Sequence, residues 1–383
     1  MLTAFGPIVT DFYLPSMPEM QEDFHTSSSL VAMSLTAGML GLSLGQILIG
    51  PLSDKYGRKR LLVGSMLLFA LSSMCCVVAK DVMIFNFFRV IQGFGGAGGM
   101  VLSKSVSADM FSGKDLADFM AILGAINGIA PVMAPIVGGA TANFTGWRGV
   151  FCVLLAIGVV LMVCSARLRE TLPPERRTTG SVMQAYTHLF KVFRNRRFTL
   201  PTLAMMCSFF AFFAYISSSP FIFQQVYGLS PMEFSLCFAL NAVMIGAGSI
   251  LAPLFRHQDT AMKWASLNLM VSAVLVALCL LLRWPLLVLM PCYVYLLLSF
   301  GLLQPGAASI ALDAERSNAG AASAVYGAAA FLAGSLVSPL TSVGNLLMST
   351  SCIIVVGALG CLALTLPLCA TLKREGMSRE GAE

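Results

Sequence analysis

The stretch Gly50-Pro51-Leu52-Ser53-Asp54-Lys55-Tyr56-Gly57-Arg58-Lys59-Arg60 joins two apolar runs, residues 28–49 and 61–79. Its glycines suit a tight turn. Asp54 stands among the bases at a helix end, where it can meet the N-terminus of a neighbouring helix and the nearby Arg58. Each flanking run is close to the roughly 20 apolar residues that carry a helix across a bilayer, so the stretch reads as a short basic connection at a membrane surface. The rest of the chain has the same character. It is 383 residues long, 57% hydrophobic and 11% charged, against about 45–50% and roughly 25% in soluble domains. Runs separated by short loops leave no room for a separate soluble domain.

Twelve such runs can be read, at residues 1–14, 28–49, 61–79, 82–106, 119–142, 147–168, 200–223, 234–255, 264–282, 285–310, 320–340 and 349–371. Lys and Arg collect on the cytoplasmic side of membrane proteins. Of the 24 here, twenty fall in one set of loops and the C-terminal tail, while the other set holds Lys80, Arg148 and Arg283. Both termini are therefore expected in the cytoplasm. The net charge of +6 is spread along the membrane surface, which speaks for topology and against nucleic acid. The polar segment 169–199 divides the spans into two six-helix halves, 1–168 and 200–383, as in transporters built from repeats. Gly50-Pro51-Leu52 has a faint echo in Ala252-Pro253-Leu254. All eleven cysteines lie in apolar runs without ligand or loop spacing, and read as small hydrophobic residues. Met1 opens directly into an apolar run, so a cleaved leader is not expected.

The first run is short. Fourteen helical residues rise about 21 Å against a hydrocarbon core of roughly 30 Å, so the first helix is expected to be truncated, with the natural start upstream of Met1. Within the spans stand two charges, Asp11 and Arg89, with Asp109 and Asp118 at cytoplasmic ends. A charge inside a membrane is expensive and by default marks function. The topology puts Asp11 about one turn and Arg89 roughly two turns from the outer surface, where they are expected to pair or to face one cavity. Asp11 would then bind and release a proton. The plain alternatives are an interfacial helix-end acid, and a structural or snorkelling cation. His25, His188 and His257 lie in or beside loops and offer no rival.

The opening stretch resembles the Gly-x-Leu-Ala-Asp-Arg-x-Gly-Arg-Lys signature of the major facilitator superfamily. Phe88-Arg89-Val90-Ile91-Gln92-Gly93 resembles that family's Arg-x-x-Gln-Gly motif, associated with proton coupling. Gly124, Gly128, Pro131, Pro135, Gly138 and Gly139 resemble its antiporter motif, in which small residues permit close helix approach and proline bends the helix. Asp11-Phe12-Tyr13-Leu14-Pro15-Ser16-Met17-Pro18, Ala130-Pro131-Val132-Met133-Ala134-Pro135 and Tyr215-Ile216-Ser217-Ser218-Ser219-Pro220-Phe221 are similar to the Bcr/CflA group of bacterial drug exporters, whose members confer resistance to bicyclomycin and chloramphenicol. The chain departs from that group at the start of the first helix and at Ala108, where an Arg usually precedes the acid at Asp109.

The resemblance implies an all-α membrane protein with twelve spans, and a multi-pass monomer in the bacterial inner membrane. It implies export of small amphipathic drugs in exchange for protons by alternating access, with the proton as coupling ion and no cofactor or metal. Asp11 and Arg89 would couple the proton. Gly50, Asp54, Gly57, Arg58, Lys59 and Asp109 would serve conformational change. Substrate contacts are expected from Tyr13, Gln92, Phe210, Phe213, Tyr215, Asn241, Tyr293 and Gln304, because aromatic faces and neutral amides suit varied ligands. A facilitator or exporter of an endogenous metabolite such as a sugar or amino acid is the alternative reading. A membrane enzyme would need a nucleophile with a base, or a metal cluster, and the spans carry neither pattern. A receptor or partner-binding scaffold would carry a sizeable soluble module.

Overall fold

A computed structural model describes residues 1–177, 191–255, 257–316 and 319–380. Residues 178–190 of the polar linker, with His188, and also Arg256 lie outside them. Every regular element among the described residues is helical: α1 (Phe5–Thr10), α2 (Met17–Asp23), α3 (Ser28–Tyr56), α4 (Arg58–Val78), α5 (Val82–Met110), α6 (Gly113–Arg167), α7 (Arg196–Phe221), α8 (Pro231–Leu251), α9 (Gln258–Leu281), α10 (Leu286–Asp313), α11 (Ala319–Val337) and α12 (Leu346–Glu380).

Among the described residues, nine helical segments are long and apolar enough to cross a membrane. One of them, the 55-residue α6, holds two of the spans read from sequence, because Gly146 at φ 67° interrupts its helical backbone between them. α5 has the length, 29 residues, but Asn86, Arg89, Gln92 and a run of glycines dilute its apolar content. The first span is the most altered from expectation. It is a broken path: a 3-10 turn at Leu2–Ala4, α1, a turn at 11–13, a second 3-10 turn at Leu14–Ser16, then α2. Pro15 supplies the reason, since a proline ring clashes with the carbonyl four residues back, here that of Asp11, and disfavours helix in the residue before it. Helical turns thus continue to Asp23, beyond the boundary drawn at Leu14, and Asp11 sits at the break, not one turn from the end.

The opening stretch is likewise helical where a loop was expected. α3 runs through Gly50 and Pro51 to Tyr56, and the whole turn is Gly57, at φ 98°, after which α4 starts at Arg58. That φ is open to glycine and strained for other residues. α5 starts on Asp81, whose carboxylate accepts the N–H groups of Met83 and Ile84 at 2.8 and 3.1 Å, a side-chain cap for otherwise orphan donors. α3 and α5 then pack backbone to backbone. A Cβ on Gly41 would meet the Phe94 nitrogen at 2.7 Å, and one on Gly93 the Gly38 carbonyl carbon at 2.9 Å.

Large apolar side chains such as Leu71, Phe87, Phe144, Val160, Ile250 and Leu287 are exposed, the surface expected where lipid is the solvent. Buried hydroxyls return to their own helices: Ser73, Ser107, Thr202 and Ser218 each donate to the carbonyl four residues back, which satisfies polar groups where no water can. The chain forms two compact units. The first comprises Met1–Leu189 with Ser219–Ala239, and the second Phe190–Ser218 with Leu240–Glu383. This grouping differs from the halves read in sequence at Ser219–Ala239. There Gln224 donates to the Pro15 carbonyl at 3.0 Å and Gln225 to Gln21 at 3.1 Å, bonds that attach the segment to the first unit.

Candidate functional site

Arg89 projects from α5 and is fully buried. The break after α1 leaves carbonyls of that helix's last turn without intrahelical partners, and Arg89 takes one of them. Its Nη2 donates to the Val9 carbonyl at 2.6 Å, its Nε to the Ser34 carbonyl at 3.4 Å, and its Nη1 to Gln92 Oε1. The guanidinium lies over the Tyr13 ring at 4.3 Å, an attractive stacking for a desolvated cation. Tyr13 in turn shares a hydrogen bond with Ser34 Oγ at 2.8 Å, and Gln92 Nε2 donates to Ser73 Oγ at 2.6 Å. Space for the guanidinium comes from Gly38, whose absent side chain would meet Arg89 Nη2 at 2.9 Å. Gln92 and Tyr13, singled out in sequence as substrate contacts, are therefore both engaged with Arg89.

Asp11 is buried, 5% exposed, two residues beyond the carbonyl that Arg89 holds. The two charges do not pair. Asp11 Oδ1 accepts from Thr10 Oγ1 at 2.7 Å, and the same hydroxyl also faces the Gly6 carbonyl at 2.9 Å. The connection between Asp11 and Arg89 runs through the backbone of the broken span.

At the α3–α4 junction Arg58 gathers three acids. Its side chain bonds Asp54 and Ser53, both through Nη1, and Asp109 through Nε at 3.0 Å. Its backbone N–H, at the positive end of α4, donates to Glu170 Oε1 at 2.9 Å, with the Lys59 N–H on the same oxygen at 3.5 Å. Glu170 thus occupies the N-terminus of α4, while Asp54 meets Arg58. Partial burial works against the ionised Glu170, but the N–H donors of Leu172, Arg58 and Lys59, with the Arg177 guanidinium, outweigh it and hold the carboxyl below its ordinary value. A Cβ on Gly57 would meet Arg177 Nη2 at 3.1 Å and press on the Glu170 carboxylate, so this glycine is required twice. Gly50 serves no turn; it lies inside α3.

The six α6 positions divide. Pro131 and Pro135 stand inside the helix. Around Gly124 and Gly128 an added Cβ would meet nothing within 4 Å among the described residues. Gly138 is closed off by the Phe12 carbonyl, and Gly139 by Ser235 Oγ and, at 3.2 Å, the Pro231 carbonyl. Gly138 therefore brings α6 against the break that carries Asp11.

In the second unit Tyr215, Asn241 and Tyr293 come together. Asn241 Nδ2 donates to Tyr215 Oη at 2.9 Å, and the Tyr215 and Tyr293 rings are 4.9 Å apart. All three are buried, and Asn241 Oδ1 has no hydrogen-bond partner among the described residues. Gln304 donates to Ser208 Oγ at 3.3 Å. Phe213 belongs to a ring cluster with Phe209 and Phe212, and Phe210 lies against Gly357 of α12.

The profile of the Major Facilitator Superfamily matches residues 1–339. The chain belongs to the Major Facilitator Superfamily. It is 34% identical to the uncharacterized MFS-type transporter YdgK of Bacillus subtilis over 90% of this chain and 87% of that protein. It is 27% identical to the bicyclomycin resistance protein homolog of Haemophilus influenzae, over 66% of this chain and 63% of that one. It is 28% identical to a chloramphenicol resistance protein of Pseudomonas aeruginosa, over 61% and 55%. The crystal structure of a D-xylose-proton symporter superposes with a TM-score of 0.73 over 94% of this chain and 95% of that one. At 17% identity that likeness concerns the fold.

For this superfamily transporter, sequence reasoning singled out Arg89, Gln92, Asp54, Arg58 and Asp109, but not the groups that hold them. Val9 contributes a backbone carbonyl, which no residue type advertises. Ser34 and Ser73 look like the other serines of apolar runs. Glu170 stands among the bases that follow α6 just as Glu175 does, and a distribution of Lys and Arg says nothing of acids, so nothing in the sequence singled it out.

Proposed function

We propose that this transporter exports small amphipathic drugs of the bicyclomycin and chloramphenicol kind from the cytoplasm, in exchange for protons carried by Asp11. The observation that supports the coupling most is the break in the first span, which holds a buried carboxyl next to a backbone carbonyl gripped by Arg89. One Thr10 hydroxyl proton faces two acceptors, Gly6 and Asp11. With Asp11 protonated, its own O–H donates to Thr10 and the hydroxyl keeps Gly6. With Asp11 ionised, the hydroxyl must turn to the carboxylate. Proton binding thus changes the hydrogen bonding at the end of α1, where Arg89 and Gly138 also attach. Tyr215, Asn241 and Tyr293 offer a buried amphipathic surface for a ligand of mixed polarity. The drug-resistance proteins among its relatives support this substrate class. Their bacterial sources support the inner membrane, and the distribution of bases supports cytoplasmic termini.

One proton entering against a neutral drug moves one charge, about 2.3 kcal/mol per 100 mV, which sustains roughly a fortyfold gradient. The test uses everted membrane vesicles with a preset pH gradient, to which chloramphenicol or bicyclomycin is added. Collapse of the gradient on drug addition, absent with Asp11→Asn, is the expected result. A gradient indifferent to every drug offered, in vesicles containing the folded protein, would overturn the reading.

A further inference from the structure

Cys279 stands two residues before the end of α9, and Cys292 in the second turn of α10. The four residues 282–285 between these helices fold into a tight reversal, in which the Trp284 N–H donates to the Cys279 carbonyl at 2.9 Å and Arg283 takes φ 51°. The reversal lays the two helices side by side and brings the Cys279 and Cys292 sulfurs to 3.6 Å. Both are free thiols, as are the other nine cysteines, and this is the one cysteine pair in hydrogen-bond contact among the described residues. Cys279 is buried and Cys292 partly accessible, the arrangement of an entry thiol with a resolving thiol behind it.

We infer that Cys279 and Cys292 form a site of reversible covalent modification, closing to an intrachain disulfide when an apolar organic disulfide reaches them. The Cys292 thiolate attacks one sulfur of the reagent and expels the other half as a thiol, leaving a mixed disulfide on Cys292. The Cys279 thiolate then attacks the Cys292 sulfur and expels the second half. In sum the two protein thiols lose two electrons and two protons, and the reagent is reduced to two thiols. The resolving sulfur already lies 3.6 Å from its target, about 1.5 Å outside the length of the bond it forms. The resulting bond would tie α9 to α10 next to Pro291 and Tyr293, so it would fix the outer part of α10 beside the tyrosine that packs on Tyr215.

The test treats the full-length protein, purified in detergent, with dithiodipyridine, alkylates remaining thiols with N-ethylmaleimide, and maps peptides by mass spectrometry. The expected product is a 279–292 cross-link that has lost two hydrogens, carries no pyridylthio group and disappears on reduction. Exposed single thiols such as Cys164 and Cys352 should instead stop at the pyridylthio adduct. In Cys279→Ser the adduct should persist on Cys292, which shows the entry step without the resolving thiol. A wild-type protein in which Cys292 stops at the adduct, or in which both thiols are still alkylated, would overturn the proposal.

Discussion

Arg89 shows how one buried charge is made tolerable in a membrane protein. Its guanidinium is met by two backbone carbonyls, an amide oxygen and a tyrosine face, none of which carries a full charge. Lysine presents a point charge and cannot reproduce the fork. Arg89→Lys is expected to insert normally yet lose transport by about tenfold or more, since a hydrogen bond to a charged group is worth about 1.5–3 kcal/mol; drug-driven proton flux in vesicles measures it. Asp11→Asn is expected to abolish proton-driven export while the protein still inserts, and full drug gradients in that variant would remove Asp11 from the mechanism. Both residues were legible in sequence because charge inside an apolar run is rare. Their geometry was not. A direct Asp11–Arg89 pair was a natural expectation, but the break at Pro15 offers Arg89 a carbonyl where an unbroken helix would have consumed it.

At the scale of elements, the α3–α4 junction joins two helices through one glycine and seals the start of α4 with an acid brought from beyond α6. Gly57→Ala would place a side chain at φ 98° against Arg177 and Glu170, at a cost of about 1–3 kcal/mol for the backbone alone. A lowered midpoint of thermal unfolding in detergent is the expected readout. Glu170 contributes to stability while ionised. Its folded pKa is depressed below the ordinary 4.5, so its contribution is complete above about that value and is lost as the pH falls through the lowered folded value. Wild type and Glu170→Gln should therefore differ in unfolding midpoint near neutral pH, with the wild type higher, and converge in acid. A constant difference across the range would sink this assignment. The connection was legible as a motif, yet it reads as a loop because glycine and proline punctuate it. In the structure Gly50 and Pro51 stay helical and Gly57 alone turns the chain.

For the whole molecule the orientation remains a proposal with a direct check. In a cysteine-free background, Lys114→Cys should react with a membrane-impermeant maleimide only in everted vesicles, and Lys80→Cys only in intact cells; the reverse pattern would invert the assignment. Length and hydropathy sufficed for the class of protein, because a bilayer imposes one requirement on every segment: about 20 apolar residues with all backbone groups satisfied within a helix; the family was carried by short motifs such as that at residues 50–60. That requirement is local, so it is written locally. The seat of Arg89 on Val9 and Ser34, the Glu170 seal on α4 and the contact of Cys279 with Cys292 were decided only by the tertiary structure. Each depends on which helix lies beside which, and in an apolar solvent helix neighbours are chosen by close packing and by a few shared hydrogen bonds between residues far apart in the chain.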